Sequence, residues 1–192
     1  MVNGTHENII TAFFRIAHRN PNKEEISLSE IADEAGITRQ DIYAKHFSCV
    51  SEIKKEIYQS IDDQIYYHFI EALEKHSAQK NIYEIICIAI IPEIYEKRNW
   101  IKILYSSRID SQWESFLKKR YINLFSKYYA DRLHTNTTMS LEESSDIICQ
   151  YILSLFSIWL TSDLPDPPSV FEKKFLAILQ IPPINLATIS DI

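Results

Sequence analysis

The chain has 192 residues, of which 46% are hydrophobic and only two are glycine, and its formal net charge is −6 at neutral pH. This length can bury one sizeable core, or a small domain attached to a larger one. Scarce glycine and apolar residues at helical spacing predict an all-α protein, and no run with strand periodicity is flanked by the turn signals of a sheet.

The first eight residues are polar and lack the apolar centre of a secretory leader. No apolar run approaches the roughly 20 residues of a membrane span, so we expect a cytoplasmic protein without membrane segments. Cys49, Cys87 and Cys149 are far apart and lack CxxC spacing, which indicates neither a disulfide framework nor a zinc site. We expect all three thiols to be buried.

The first predicted helix covers residues 5–18 and carries one apolar stripe. A second helix is predicted to start at Leu28, because Ser27 and Glu30 have the spacing of a capping box. It ends at Gly36, because glycine adopts the left-handed backbone conformation that closes many helices.

A short third helix is predicted to follow Thr38, which forms a cap-like pair with Asp41. We expect Ile42, Tyr43 and Phe47 to form its inward face. Two short helices joined by a tight turn predict a helix-turn-helix, whose second helix places its N-terminal part in a DNA major groove.

After Phe47, a long helix is predicted over residues 51–75, with isoleucines at uninterrupted four-residue steps. They are Ile53, Ile57, Ile61 and Ile65.

The helix-turn-helix contains Ile31-Ala32, Ala35-Gly36-Ile37-Thr38, Ile42-Tyr43 and Phe47. With these residues, roughly the first third of the chain resembles the N-terminal domain of TetR-family transcriptional regulators; the rest resembles them in length and helical layout. The resemblance implies an all-α fold with a helix-turn-helix DNA-binding domain at 1–50. A linking helix at 51–75 would join it to the helical ligand-binding and dimerisation domain, which makes up residues 51–192.

Arg39 and Gln40 lie at the N-terminal end of the predicted recognition helix, where Arg suits guanine and Gln suits adenine. We expect them to read bases. The resemblance implies phosphate contacts by further side chains. They are Thr38, Tyr43, Lys45, His46 and Lys54. Asp41 could accept from a cytosine amino group, but its position favours a helix cap.

The resemblance is weaker at the start of the long helix, where Cys49 and Val50 replace the family's frequent Ser or Asn cap and its lysine. Either Ser48 or Ser51 could cap this helix instead, and Lys54 or Lys55 could supply the charge. Residues 1–60 contain seven Lys and Arg but nine Asp and Glu, a net charge of −2. Most phosphate-binding domains are basic, so we expect the acidic residues to face away from the DNA.

The remaining predicted helices cover residues 81–98 with an interruption at Pro92, then 100–109, 111–134, 140–162 and 169–181. A polar break separates them at 134–139. The run from Ile85 to Ile91 is apolar on every side and predicts a fully enclosed helix.

The predicted helix at 140–162 has two apolar faces, and one subunit covers only one of them unless its own core reaches both. We assign one face, together with part of the last helix, to a two-fold dimer interface. Its residues are Ile148, Ile152, Leu155, Trp159, Phe175 and Leu179.

The resemblance also implies an effector pocket, which we expect to be apolar and aromatic. Its candidate residues are Phe69, Ile86, Ile90, Trp113, Phe116 and Tyr151.

These features predict a dimeric repressor of a palindromic operator that a small apolar or aromatic effector releases. We expect no enzyme site, cofactor or metal, because the chain has no Gly-rich phosphate loop, nucleophile elbow or paired Glu-x-x-His pattern. The alternative is an all-α dimeric interaction module that binds protein or DNA without inducer control.

Overall fold

The computed structural model of the chain describes residues 2–106, 108, 112–130, 132, 139–181 and 185. Over these residues it contains ten α-helices and no β-strand, so the predicted all-α fold is confirmed. The helices are α1 (Val2–Arg19), α2 (Leu28–Ala35), α3 (Arg39–Lys45), α4 (Val50–His76), α5 (Ile82–Ala89), α6 (Ile91–Glu96), α7 (Arg98–Ser106), α8 (Trp113–Ala130), α9 (Leu141–Thr161) and α10 (Pro168–Ile178).

Helix α2 has the two ends that its sequence predicts. The Ser27 hydroxyl accepts from the Glu30 N–H, and the Glu30 carboxylate accepts from the Ser27 N–H at 3.0 Å. At the other end Gly36 takes the left-handed conformation with φ 68° and ψ 32°. The turn into α3 therefore depends on the one glycine with positive φ in the described chain.

Helix α4 extends the predicted linking helix by one residue at each end. Its isoleucines Ile53, Ile57, Ile61 and Ile65 are all buried. The first two belong to the apolar core that also contains residues of α1 to α3, and the last two line a cavity in the larger body. On the outside, the Lys97 ammonium donates to the Ile61 carbonyl at 2.7 Å.

The predicted interruption at Pro92 separates α5 from α6 at Ile90. Proline lacks the N–H that would continue the hydrogen-bond ladder to Ile88. The expectation of a fully enclosed helix is wrong at that residue, since Ile88 is 49% exposed.

Helices α7 to α10 follow the predicted order with ends shifted by a few residues. Asn81 caps α5 in a capping box with Glu84, and Ser140 caps α9 in another with Glu143. The predicted polar break at 134–139 and parts of the predicted ends near 109, 111 and 134 lie outside the described residues. By length and composition alone, α9 is apolar enough to cross a membrane, but 39% of its most apolar window is buried within the fold.

The N-terminal helices dock on the larger body through α1 and α7. The Phe14 and Trp100 rings meet edge to face at 4.0 Å between centroids, and the Arg108 N–H donates to the Pro21 carbonyl at 3.0 Å. One continuous apolar core runs from α1 to α10.

The two glycines provide a matched test of the turn. We expect Gly36→Ala to lower the free energy of unfolding by roughly 1 kcal/mol, because a side chain at positive φ is strained even though open space surrounds the site. We expect Gly4→Ala, inside α1 and equally open, to be neutral or stabilising by about 0.5–1 kcal/mol. Chemical denaturation measures both, and equal effects would show that the turn is not strained.

Candidate nucleic-acid interface and internal cavity

Arg39 and Gln40 occupy the first turn of α3 and are exposed. Among the described residues, neither side chain has a hydrogen-bond or ion-pair partner. Both long polar side chains are therefore exposed and unbonded within the described chain. They lie at the N-terminal end of the helix that a helix-turn-helix inserts into the major groove.

Their neighbours on α3 are tied to one another. The Thr38 hydroxyl accepts from the Asp41 N–H at 3.0 Å and donates to its carboxylate at 2.6 Å. The Lys45 ammonium donates to the same carboxylate at 3.2 Å. The Thr38 hydroxyl and the Lys45 ammonium together lower the Asp41 pKa. Thr38 is thus the N-cap of α3, and the Asp41 carboxylate is held by this cap residue and by Lys45.

Tyr43 does not point inward as predicted, because its side chain is 66% exposed. Ile42 and Phe47 alone carry the inward face, so the Tyr43 phenol is available for an external contact. His46 is half-buried, and its ring lies 6.0 Å from that of His6 on α1.

The N-terminus of α4 departs from the expectation that Ser48 or Ser51 would cap it. Cys49 is the cap residue and makes no side-chain cap bond. Instead, the Glu52 carboxylate accepts from the Ser48 N–H at 2.7 Å, and the Ser51 hydroxyl pairs with the Cys49 thiol at 3.4 Å. An internal anion thus occupies the helix end where the resemblance implies a phosphate.

Cys49 is also exposed, so the expectation of three buried thiols holds only for Cys87 and Cys149. Burial raises the pKa of Cys87 to about 12 and that of Cys149 to about 11.

Several acidic residues of the N-terminal domain face its own cations. Glu34 accepts two hydrogen bonds from Arg19, at 2.6 and 3.0 Å, and Glu30 pairs with Lys23 at 2.7 Å. These pairs join residues of α1, of α2 and of the segment between them, and none of them involves α3. Lys54 is half-buried in the second turn of α4, and Lys55 beside it is exposed.

No known family model and no curated protein matches the sequence. Among solved structures, the fold matches native NalD, the secondary repressor of the MexAB-OprM multidrug efflux pump in Pseudomonas aeruginosa. The match covers 99% of this chain and all of NalD with a TM-score of 0.67 at 18% identity. NalD is a TetR-family repressor. The chain has the TetR-family fold. The layout implied by the helix-turn-helix motif therefore extends over the whole chain.

In this TetR-family fold the larger body encloses a cavity of about 50 Å³ among α4 to α9. Of the residues predicted to form a pocket, Ile86, Ile90 and Trp113 line it. The others do not. Phe69 packs on Tyr121 and Phe125, Phe116 stacks on Trp113, and Tyr151 is half-buried on α9.

One charged residue lines the otherwise apolar cavity. Asp62 on α4 is 3% exposed and accepts from the Tyr121 hydroxyl at 2.8 Å. Its second carboxylate oxygen forms an ion pair with Arg120, at 2.8 Å from Nε. Arg120 also pairs with Asp63 at 2.5 Å and lies over the Tyr66 ring.

Burial raises the Asp62 pKa to about 6, against the opposing effects of the Tyr121 hydroxyl and the Arg120 charge. A second buried polar atom lies in the wall, the indole nitrogen of Trp113. Its polar partner is the Tyr105 hydroxyl, and this contact opposes the rise in the Tyr105 pKa that burial causes. Sequence reasoning missed Asp62, because an acidic residue inside an amphipathic helix is normally assigned to the solvent face.

The face of α9 that was predicted to form the dimer interface is the one that the subunit itself buries. Ile152, Leu155, Trp159 and Phe175 are at most 9% exposed inside the subunit, so their assignment to a dimer interface is wrong. Trp159 stacks on Phe171 of α10 at 3.8 Å. Ile148 and Leu179 are half-buried.

The exposed apolar residues of this region lie on the opposite face. Ile147 is 53% exposed and Ile158 is 71% exposed, three helical turns apart on α9. Val170 on α10 is 41% exposed. The sequence pattern predicts two apolar faces on α9, but periodicity alone does not show which of them the subunit covers.

The buried carboxylate predicts a specific pH dependence of stability. A raised pKa means that the folded chain binds more protons than the unfolded chain between about pH 4 and pH 6, so ionisation of Asp62 destabilises the fold as pH rises through this window. Asp62→Asn lacks this ionisation. We therefore expect its free energy of unfolding, relative to that of wild type, to rise by up to about 3 kcal/mol as the pH is raised from 4 to 7. Asp63→Asn is the control, since Asp63 is half-exposed. Parallel denaturation curves for wild type and Asp62→Asn at all pH values would contradict the assignment.

Proposed function

We propose that this protein is a non-enzymatic, cytoplasmic transcriptional repressor that binds a palindromic DNA operator as a homodimer and releases it when a small effector binds. The observation that carries the proposal is that Arg39 and Gln40 are exposed on α3 of a helix-turn-helix and have no partner among the described residues. The likeness to NalD, described as a repressor, supports the same function.

The α3 surface divides into reading and positioning groups. Arg39 can donate two hydrogen bonds to guanine, and Gln40 can pair with adenine, so these two side chains supply sequence preference. The Tyr43 phenol, the Lys45 ammonium and the His46 imidazole suit phosphates. Lys54 and Lys55 follow on α4, where they offset the Glu52 carboxylate.

We expect Arg39→Ala and Gln40→Ala to relax the base preference of the bound site. The loss for the preferred site is roughly 5-fold to 150-fold for Arg39→Ala, corresponding to about 1–3 kcal/mol for a bidentate contact. Selection from random duplexes by the wild type first defines the site, and gel-shift titrations then compare the variants. Arg132→Ala removes an exposed arginine from the end of α8 and should keep both affinity and preference.

The selection from random duplexes also distinguishes the proposed repressor from the alternative function. An all-α dimeric interaction module would recover no consensus duplex, or would bind every duplex equally. Unchanged preference in both α3 variants would place the reading surface elsewhere.

The internal cavity supports effector binding in the larger body. Its volume of about 50 Å³ is well below the roughly 150 Å³ that holds a single benzene ring, so an effector with an aromatic ring must push its walls apart. Ile61, Asp62 and Ile65 place α4 in that wall. Because α4 also packs in the helix-turn-helix, widening the cavity shifts the spacing of the two recognition helices, and a ligand that favours the widened state weakens operator binding.

Dimerisation is proposed through the outward face of α9 and α10. Ile147 and Ile158 lie on one line of α9 with the small Ser154 between them, which allows a second copy of the helix to approach closely. An isologous contact through this face gives the two-fold symmetry of a palindromic site.

We expect Ile158→Lys to convert the dimer to a monomer, because burying an unpaired ammonium costs several kcal/mol, enough to raise the dimer dissociation constant more than about a hundredfold. Ile88→Lys is the matched control, since Ile88 is similarly exposed but lies on α5. Sedimentation velocity over a concentration series measures both. A dimer that survives Ile158→Lys and dissociates with Ile88→Lys would move the interface to the α5 side.

A further inference from the structure

One histidine of the first helix lies where three of the N-terminal helices meet. His6 is half-buried in the second turn of α1, and its ring packs on Phe47 at 4.7 Å between centroids. The ring of His46, the residue that closes α3, is 6.0 Å away. On the α4 side, the His6 Nε2 atom lies 3.5 Å from a carboxylate oxygen of Glu56. The imidazole therefore joins α1 to the end of α3 and to the second turn of α4.

The charged neighbours on α1 and α3 leave two imidazoles at this corner to change charge. Glu7 follows His6 on α1 and is exposed. On α3, the Lys45 ammonium donates to the Asp41 carboxylate at 3.2 Å. Imidazole is the side chain whose charge ordinarily changes between about pH 5 and pH 8. His6 and His46 can therefore both add positive charge to this corner as the pH falls through neutrality.

Helix α4 contributes two carboxylates, Glu52 and Glu56, which lie one turn apart on one face of the helix. Glu52 accepts from the Ser48 N–H at 2.7 Å, and the charge of Lys55 also acts on it. The ion-pair partner of Glu56 in the described chain is His6. Because that contact is an ion pair only when the imidazole is protonated, the Glu56 charge is offset at low pH and loses this compensation at high pH.

The start of α4 and the end of α3 are the edge where the proposed function places a DNA phosphate. A carboxylate beside a phosphate repels it, so protonation of His6 removes an obstacle to binding. A protonated imidazole also donates from both of its nitrogens. An adjacent anion favours the charged form of an imidazole, so the binding of DNA and the binding of protons each promote the other.

We propose that His6 belongs to the DNA-binding surface, where with His46 it forms a two-imidazole site for a backbone phosphodiester that takes up protons when DNA binds. This inference rests on the proposed DNA-binding function and adds to it a residue of α1 and a dependence on pH. A phosphate contact carries no sequence information, so the site strengthens binding to every duplex and leaves base preference to Arg39 and Gln40.

Calorimetry in two buffers of different ionisation enthalpy measures the protons taken up per duplex bound. The probes are the duplex selected by wild type and a scrambled duplex of the same length, at constant ionic strength. We expect wild type to take up protons near neutral pH, and to bind both duplexes more weakly as the pH rises from about 6 to about 8. His6→Gln and His46→Gln should each take up fewer protons. Near pH 6 each should lose affinity by roughly twofold to fivefold per subunit, the size that interactions between exposed charges reach.

Three further variants separate charge from packing. His6→Lys supplies a permanent cation, so it should flatten the pH profile and keep tight binding near pH 8. Glu56→Gln removes the opposing anion and should strengthen binding near pH 8. His18→Gln is the matched control, because His18 is exposed on the same helix, about 18 Å from His6 along the axis. It should leave proton uptake unchanged.

Duplex binding by wild type without proton uptake would overturn the proposal. So would an uptake that His6→Gln leaves unchanged, or one that His18→Gln lowers as much. The wild-type measurement decides the question even where a variant folds poorly. Failure of wild type to bind any duplex refutes the proposed function and the phosphate site together, whereas binding that lacks the proton linkage refutes the phosphate site alone.

Discussion

The fold depends on α4, a single unbroken helix whose two halves are both buried, one among the N-terminal helices and the other in the larger body. Along α4, isoleucines at every fourth position from Ile53 to Ile65 are at most 5% exposed. Ile53 and Ile57 belong to the core that also contains residues of α1 to α3, and Ile61 and Ile65 line the cavity. Because packed interiors contain few voids, α4 is the element through which the proposed change of cavity volume would reach the N-terminal helices.

Much of the architecture could be predicted because the deciding signals are local. The capping boxes at Ser27 and Ser140 and the glycine at the turn act within four residues, so their sequences suffice. The cavity and the dimer face could not be predicted in the same way. They depend on which of two apolar faces meets the rest of the chain, and α9 carries both. The sequence did not reveal Asp62 as a cavity residue for a related reason. Only the packed structure shows that its side chain, which contacts Arg120 and Tyr121, lies inside the protein.

The predictions for α3 differ in outcome according to whether the residue's role is set by its neighbours along the helix. The capping role of Thr38 follows from its spacing to Asp41 and is present in the structure. The inward assignment of Tyr43 failed, because a seven-residue helix buries only a narrow stripe, and Ile42 occupies it. Roles in DNA contact for Arg39, Gln40 and the neighbouring cations remain predictions about the exposed surface.

The Thr38, Asp41 and Lys45 chain has a consequence for how such a protein would search a genome. The Lys45 charge is largely compensated by Asp41, and Glu52 places a further anion at the start of α4. Under the proposed function, these two carboxylates reduce the net positive charge that would face the phosphates, so counter-ion release would contribute less to binding at random sequence. The proposed repressor would then spend less time bound to non-operator DNA, and its occupancy of a true site would depend more on its cellular concentration than on sliding along the chromosome.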